Sequence, residues 1–286
     1  MKGEEVMEYY DAHNHFFCEG SLKSIVEEYN KNCKGLLGVS LIVLEEVPED
    51  RNQAMMMVPR AYHYMISMPM FEFQKEAFKL SGVMDESFIF LFLDTRFFRS
   101  WHVENLEQYI EKGYKGLKIL YIPENEESIG IQGWDNVFGR SMRKSEQMMA
   151  DMVAFCDRFG LPVLFHADIK RYGDFVCDIL KAYPNTIFNV PHFGQSRKKI
   201  VNVLETYPNC YTDFSGLLPY MKESPDAYRD FIRAYGTRIL FGSDGLFGFP
   251  DMLMEYVEFI GTLLDWELFR KVAHDNYRLF HQLEKD

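Results

Sequence analysis

His13 and His15, one residue apart in Tyr9-Tyr10-Asp11-Ala12-His13-Asn14-His15-Phe16, are the residues of this chain best spaced for chemistry. On an extended strand, residues i and i+2 share a face, so both imidazoles can point at one spot near the strand's end and hold one metal ion. Surface loops also carry neighbouring histidines, so the pair gains its meaning from other segments. Leu161-Pro162-Val163-Leu164-Phe165-His166 is a short apolar run ending in histidine, and Thr186-Ile187-Phe188-Asn189-Val190-Pro191-His192 is another. Arg238-Ile239-Leu240-Phe241-Gly242-Ser243-Asp244 ends in an aspartate. Each ligand-type side chain therefore stands where a buried strand stops. Neutral imidazole and carboxylate are the usual donors for a borderline divalent ion, and water at its open position loses a proton near neutral pH. Such a set supplies a nucleophile without serine or cysteine.

Positioning these residues calls for strands that end together. Eight strand-like runs recur, around residues 8–13, 36–44, 87–93, 115–121, 161–166, 186–191, 209–213 and 238–242. Several are continuously apolar, as in Leu36 to Leu44 and Phe88 to Leu93, which suits parallel strands covered by helices. Helices between them carry start and stop signals: Ser21 before 22–30, Gly113 after 103–112, Gly160 after 142–159 and Gly236 after 227–235. The pattern predicts an α/β protein, a single closed (β/α)8 barrel over residues 1–286, in which the C-terminal strand ends converge on one mouth. An open doubly wound sheet is the alternative, but no glycine-rich phosphate loop follows the first strand.

Composition narrows the function classes. A chain of 286 residues with 47% apolar and 16% aromatic content can bury a sizeable core. Its net charge of −12 argues against nucleic-acid and anionic-membrane partners, and the short cluster Arg197-Lys198-Lys199 reads as the solvated start of a helix. Five scattered cysteines without CxxC spacing suggest neither disulfides nor a thiolate zinc site. The acidic N-terminus lacks a signal-peptide core and no apolar run reaches the ~20 residues of a bilayer span. The expectation is a cytoplasmic protein with a small-molecule partner, with room for homo-oligomer contacts. The Met-rich segment 55–68 reads as an insertion with helical content, packing into the core or against a second copy, with a lid over the substrate pocket as the alternative.

Asp11-Ala12-His13-Asn14-His15, the histidines ending the fifth and sixth runs and Gly242-Ser243-Asp244 are together similar to the amidohydrolase superfamily. Gly113-Tyr114-Lys115-Gly116-Leu117-Lys118-Ile119 resembles the fourth-strand segment of the branch containing aminocarboxymuconate-semialdehyde decarboxylase, and Asn276-Tyr277-Arg278-Leu279-Phe280 resembles its terminal pattern. The resemblance spans nearly the whole chain. It implies a TIM barrel in which His13, His15, His166 and Asp244 hold the metal and His192 stands beside it as an acid/base or orienting group. One Zn²⁺ is the expected cofactor, and Mn²⁺ and Fe²⁺ suit the same donors. In two-metal members of that superfamily a fourth-strand lysine, the position Lys118 matches, is carboxylated and bridges the ions. In this branch one metal is usual, so Lys118 is read as pairing with a carboxylate or contacting an anionic substrate.

Around that core, Asp11 is expected one layer below His13 on the same face, as a partner behind the ligands or in a structural ion pair. Asp94 and Arg96 are expected at the mouth as substrate contacts, or as an ion pair with each other. Arg140, at the end of the long connection 121–140, is a further candidate for a substrate carboxylate, and that connection could close over the site. His63, His102, His274 and His281 fall outside the strand-end pattern and read as surface or structural. The expected activity is hydrolysis of an amide, ester or lactone by metal-activated water, with His192 stabilising or protonating the carbonyl oxygen and Asp244 moving the proton. Nonoxidative decarboxylation of an aromatic or unsaturated acid would use the same residues, and a metal-stabilised binding protein is the non-enzymatic alternative.

Overall fold

Strands that are apolar on both faces can only be satisfied between two covered layers, and the expected eight runs become parallel strands in the computed structural model, which describes residues 7–16, 22–63, 88–127 and 129–283. They are β1 Tyr9–His15, β2 Leu36–Val43, β3 Ile89–Asp94, β4 Gly116–Tyr121, β5 Val163–Ala167, β6 Phe188–Val190, β7 Cys210–Asp213 and β8 Ile239–Leu240, with a short β9, Gly245–Leu246. The sheet order is β8-β7-β6-β5-β4-β3-β2-β1-β9. β8 and β9 are two pieces of one eighth strand line: the first pairs with β7, the second with β1. Between them Ala12 N donates to Phe241 O at 2.9 Å and Asp244 N to His13 O at 2.8 Å, which closes the ring. The molecule is an α/β TIM barrel.

The barrel's interior is layered by the strand period of two. Tyr10, Ala12, Ile42, Phe90, Phe92, Leu164 and Leu240 form one inner apolar cluster with Tyr277 and Phe280. Those last two belong to the helix Asn276–Phe280, so the chain's end plugs the barrel from the side opposite the mouth; Tyr277 stacks on Tyr10 with ring centroids 4.3 Å apart. Two residues further along the strands, Phe92 gives way to Asp94, Leu164 to His166 and Gly116 to Lys118. Gly116 is required here, because a Cβ would lie 2.5 Å from the Phe92 ring.

Some local expectations change. Residues 103–112 are two short helices, Ser100–Val103 and Glu107–Glu111, rather than one. Gly160 does end the helix Met142–Phe159 in the left-handed conformation, whereas Gly236 carries the chain from Pro225–Tyr235 into a 3-10 turn. Of the Met-rich segment, the helix Arg51–Met56 and buried Met57 are seen; its residues beyond 63, like Ser21 and Cys18, lie outside the described residues. Cys33, Cys156, Cys177 and Cys210 are free thiols. Among the described residues, no helix is long and apolar enough to cross a membrane.

Candidate metal centre

A bulge in β1 decides which of its side chains reach the mouth. The register with β2 slips between Asp11 and Asn14, so the face that holds Tyr10 and Ala12 in the lumen continues as His13 and His15. Asp11 is therefore not below His13 on the same face. Its carboxylate accepts from Ser243 N (3.0 Å), Ser243 Oγ (2.6 Å), Asn14 Nδ2 (3.0 Å) and His13 N (3.1 Å), latching β1 to the residue before Asp244. Burial pushes this carboxyl up to about 6 in spite of those four bonds.

At the mouth, Nε2 of His13 and Nε2 of His15 each lie 3.2 Å from the same oxygen, Oδ1 of Asp244. His13, His192 and Asp244 offer donor atoms all within 4.8 Å of one another, so His192 stands as near as the expected ligands. His166 is outside that tightest group, with its ring 5.0 Å from that of His192; its Nε2 is buried with no hydrogen-bond partner among the described residues. Lys118 is buried, with Nζ 3.3 Å from His13 Nε2.

Two residues that sequence reasoning passed over organise these imidazoles. Ser215 Oγ donates to Asp213 Oδ1 at 2.5 Å, and its lone pairs face His13 Nδ1 at 3.0 Å and His192 Nδ1 at 2.9 Å. The hydroxyl has one proton to give, so both imidazoles present Nδ1–H to it, and their Nε2 atoms are bare toward the centre. Asp213 Oδ2 also receives His13 Nδ1 at 3.3 Å and Asn189 Nδ2 at 2.7 Å, while Ser215 O receives His192 Nδ1 at 2.7 Å. A carboxylate behind a histidine fixes its tautomer in this way at metal sites. Asp213 ends β7 as Asp244 follows β8, so the strand-end rule could have found it; Ser215 has no such signal.

The protonation states suit a cation. Burial, followed by the Lys118 charge, pushes His13 down to about 3, and burial lowers His15 and carries His166 well below its usual value. Burial opposes ionisation of Asp244, but His13, the hydrogen bond from His15 and His192 hold it well below the usual carboxylate range. Lys118 is pushed down to about 8, chiefly by burial. Neutral imidazoles beside an ionised carboxylate, with an orphaned His166 nitrogen, are the donor forms that a divalent ion requires. The residues present fit a metal.

Strained backbone coincides with this cluster of donors. His192 (φ 56°) and Asp244 (φ 58°) are both left-handed without being glycine. Room is kept by glycines: a Cβ on Gly216 would lie 3.0 Å from Asp244 Oδ2 and 3.5 Å from His192 Nδ1, and one on Gly242 2.9 Å from His13 Cβ.

The other expected contacts are placed differently from one another. Asp94 and Arg96 are buried against each other, with Nη2 2.6 Å from Oδ2, and Arg96 Nη1 holds Met57 O at 3.0 Å. Arg140 donates to Phe98 O at 2.7 Å and lies over Phe138 and Trp134. The connection carrying it packs on the segment after β2, through Gln132 N to Met56 O and Gln53 Nε2 to Val137 O. His102 caps its own helix by accepting from Arg99 N, and His281 sits in the plug, 2.8 Å from Ser40 Oγ.

A TatD homologue from Escherichia coli K12 superposes on this fold with a TM-score of 0.63 at 14% identity, covering 96% of this chain and 98% of its own. An uncharacterised TIM-barrel protein of Bordetella bronchiseptica gives 0.61 at 14% identity, over 96% and 98%. The phosphotriesterase homology protein of Escherichia coli, with phosphate in its active site, gives 0.55 at 12% identity over 97% and 100%. These are likenesses of fold. No curated protein matches. The family model described as amidohydrolase matches residues 10–281, from β1 to the plug, and so takes in every residue of the centre. The barrel, the donors at its mouth and that match agree: this chain belongs to the amidohydrolase family.

Proposed function

We propose that the protein is a metal-dependent hydrolase acting on an amide, ester or lactone of a small molecule, with His13, His15, His166 and Asp244 holding one divalent ion, Zn²⁺ foremost. The observation that carries this reading is the meeting of two Nε2 atoms on one oxygen of Asp244, each at 3.2 Å. Bound there, the ion would polarise a carbonyl oxygen and bring the pKa of water toward neutrality.

This chain's own residues supply the rest. His192, held through Nδ1–H by Ser215 O, turns Nε2 toward the substrate, and once Nε2 has taken up a proton from solvent it donates that proton to stabilise or protonate the carbonyl oxygen. Asp244 Oδ2, beside Gly216, takes the proton of the attacking water and passes it to the leaving group. Lys118 stays outside the ligand set and faces an anionic substrate group with Nζ; a metal-to-protein ratio near two would give it a bridging role instead. The Asp94–Arg96 pair, sharing the mouth with Lys118 across β3 and β4, holds the substrate side of the pocket in shape.

Metal analysis together with a panel of amides, esters and lactones in ¹⁸O-labelled water tests this. About one ion per chain and label in the product are expected. His192→Asn should lower kcat by about 10²- to 10⁴-fold with metal content kept. Release of CO₂ from an aromatic or unsaturated carboxylic acid, with no label entering the product, would replace hydrolysis by decarboxylation, and unchanged function in His192→Ala with metal intact would leave a binding protein.

A further inference from the structure

Beyond the C-terminal ends of β3 and β4, Arg99, Arg140 and Lys144 line one cavity of about 400 Å³ together with Trp101, Phe138 and the carboxylate of Glu104. None of the mouth residues lines it. Three cations around one small cavity are unexpected in a chain of net charge −12. No ion pair to any of the three is found among the described residues. Arg140 is only 8% exposed, and among the described residues its guanidinium's one hydrogen bond is to the neutral Phe98 carbonyl. Both guanidinium groups stand over the same ring, Arg99 at 4.4 Å and Arg140 at 4.9 Å from the Phe138 centroid. Burial and the Arg99 charge push Arg140 down to about 10.

A second feature points the same way. The helix Met142–Phe159, the longest of the molecule's described helices, has no acidic residue in its first turn, and Lys144 sits there instead. A cation at the positive end of a helix is an electrostatic conflict, and a bound anion resolves it. Trp101, 55% exposed, and Phe138 add flat apolar walls beside the charges.

We infer that this cavity is a second binding site, which takes a small molecule carrying an oxyanion, carboxylate or phosphate, on a flat apolar body. The oxyanion lies between Arg99, Arg140 and Lys144, and the body lies against Trp101 and Phe138. Its volume is that of a small-molecule pocket. The site stands independently of the hydrolysis proposed for the metal centre.

Calorimetric titration of the full chain with inorganic phosphate, benzoate and phenyl phosphate tests it, with benzyl alcohol as the neutral control. One equivalent of benzoate or phenyl phosphate should bind, more tightly than inorganic phosphate, weakening as salt is raised, and benzyl alcohol should not bind. The tighter of the two aromatic anions names the headgroup. Arg99 and Lys144 are exposed, so Arg99→Gln and Lys144→Gln keep the fold; each should weaken binding about tenfold, whereas His192→Asn at the metal centre should leave it unchanged. Absence of saturable binding at millimolar concentration overturns the inference. So does binding that is lost in His192→Asn and kept in Arg99→Gln and Lys144→Gln.

Discussion

A single hydroxyl proton orders the imidazoles of the candidate metal centre. Because Ser215 gives its hydrogen to Asp213, the two imidazoles facing its lone pairs must each carry hydrogen on Nδ1. Asp213→Asn keeps the shape but sets an amide N–H against either Ser215 or the His13 N–H, so metal affinity should fall about 10- to 100-fold. Metal titration against a competing chelator measures this, with circular dichroism to show that the fold is kept; an unchanged affinity would falsify the assignment of Asp213 as the orienting carboxylate. The gathering of these side chains was legible in the sequence, since His13, His15, His166, His192 and Asp244 all stand at or just beyond strand ends. Asp213 was equally legible and was passed over. Ser215 was not, because its role exists only where Asp213, His13 and His192 arrive within one hydroxyl's reach.

At the scale of elements, the turn after β6 is the least ordinary piece of chain. His192, Phe193, Gly194 and Gln195 are four successive left-handed residues, with φ of 56°, 51°, 57° and 61°. Left-handed backbone costs a non-glycine residue about 1–2 kcal/mol, and runs of it are rare. Gly194 lightens that cost and lets Ile169 approach, since a Cβ would lie 2.7 Å from Ile169 Cδ1. Gly194→Ala should therefore destabilise the protein by about 1–3 kcal/mol and displace His192, lowering turnover more than metal content. Urea denaturation and metal analysis of the same sample separate the two effects; full turnover would show that the turn does not position His192. Strand positions were readable because apolar runs report burial directly. The β1 bulge and the left-handed turn were not: backbone preferences give no reason to place His192 or Phe193 at positive φ, and only tertiary packing holds them there.

At the scale of the molecule, the lumen is closed below by the chain's own end. His281 rests in that plug beside Ser40, Phe90 and Phe92, and burial, followed by the Lys115 charge, pushes it down to about 3. Its unfolded value is about 6.5, so the unfolded chain takes up a proton that the folded chain refuses. Stability is then complete above about pH 6.5 and falls as pH drops toward 3. Between pH 7.5 and 5.5 this one group should remove about 1.4 kcal/mol. In His281→Leu the loss over that interval should be smaller by this amount, as read from urea midpoints at the two pH values; equal losses would mean that the imidazole is solvated. The barrel itself followed from counting strands, but the plug did not, because a five-residue helix at the end of a chain carries no sign of where it docks.

The latch between Asp11 and Ser243 joins residues 232 positions apart, and it lies directly behind the oxygen on which His13 and His15 converge. The latch thus ties the first strand to the last strand line, across a sheet whose order otherwise follows the chain. Until the barrel closes, the candidate donors on β1 and after β8 have no common point to face. The same contact that completes the sheet therefore also completes the cluster of imidazoles and carboxylate at the mouth.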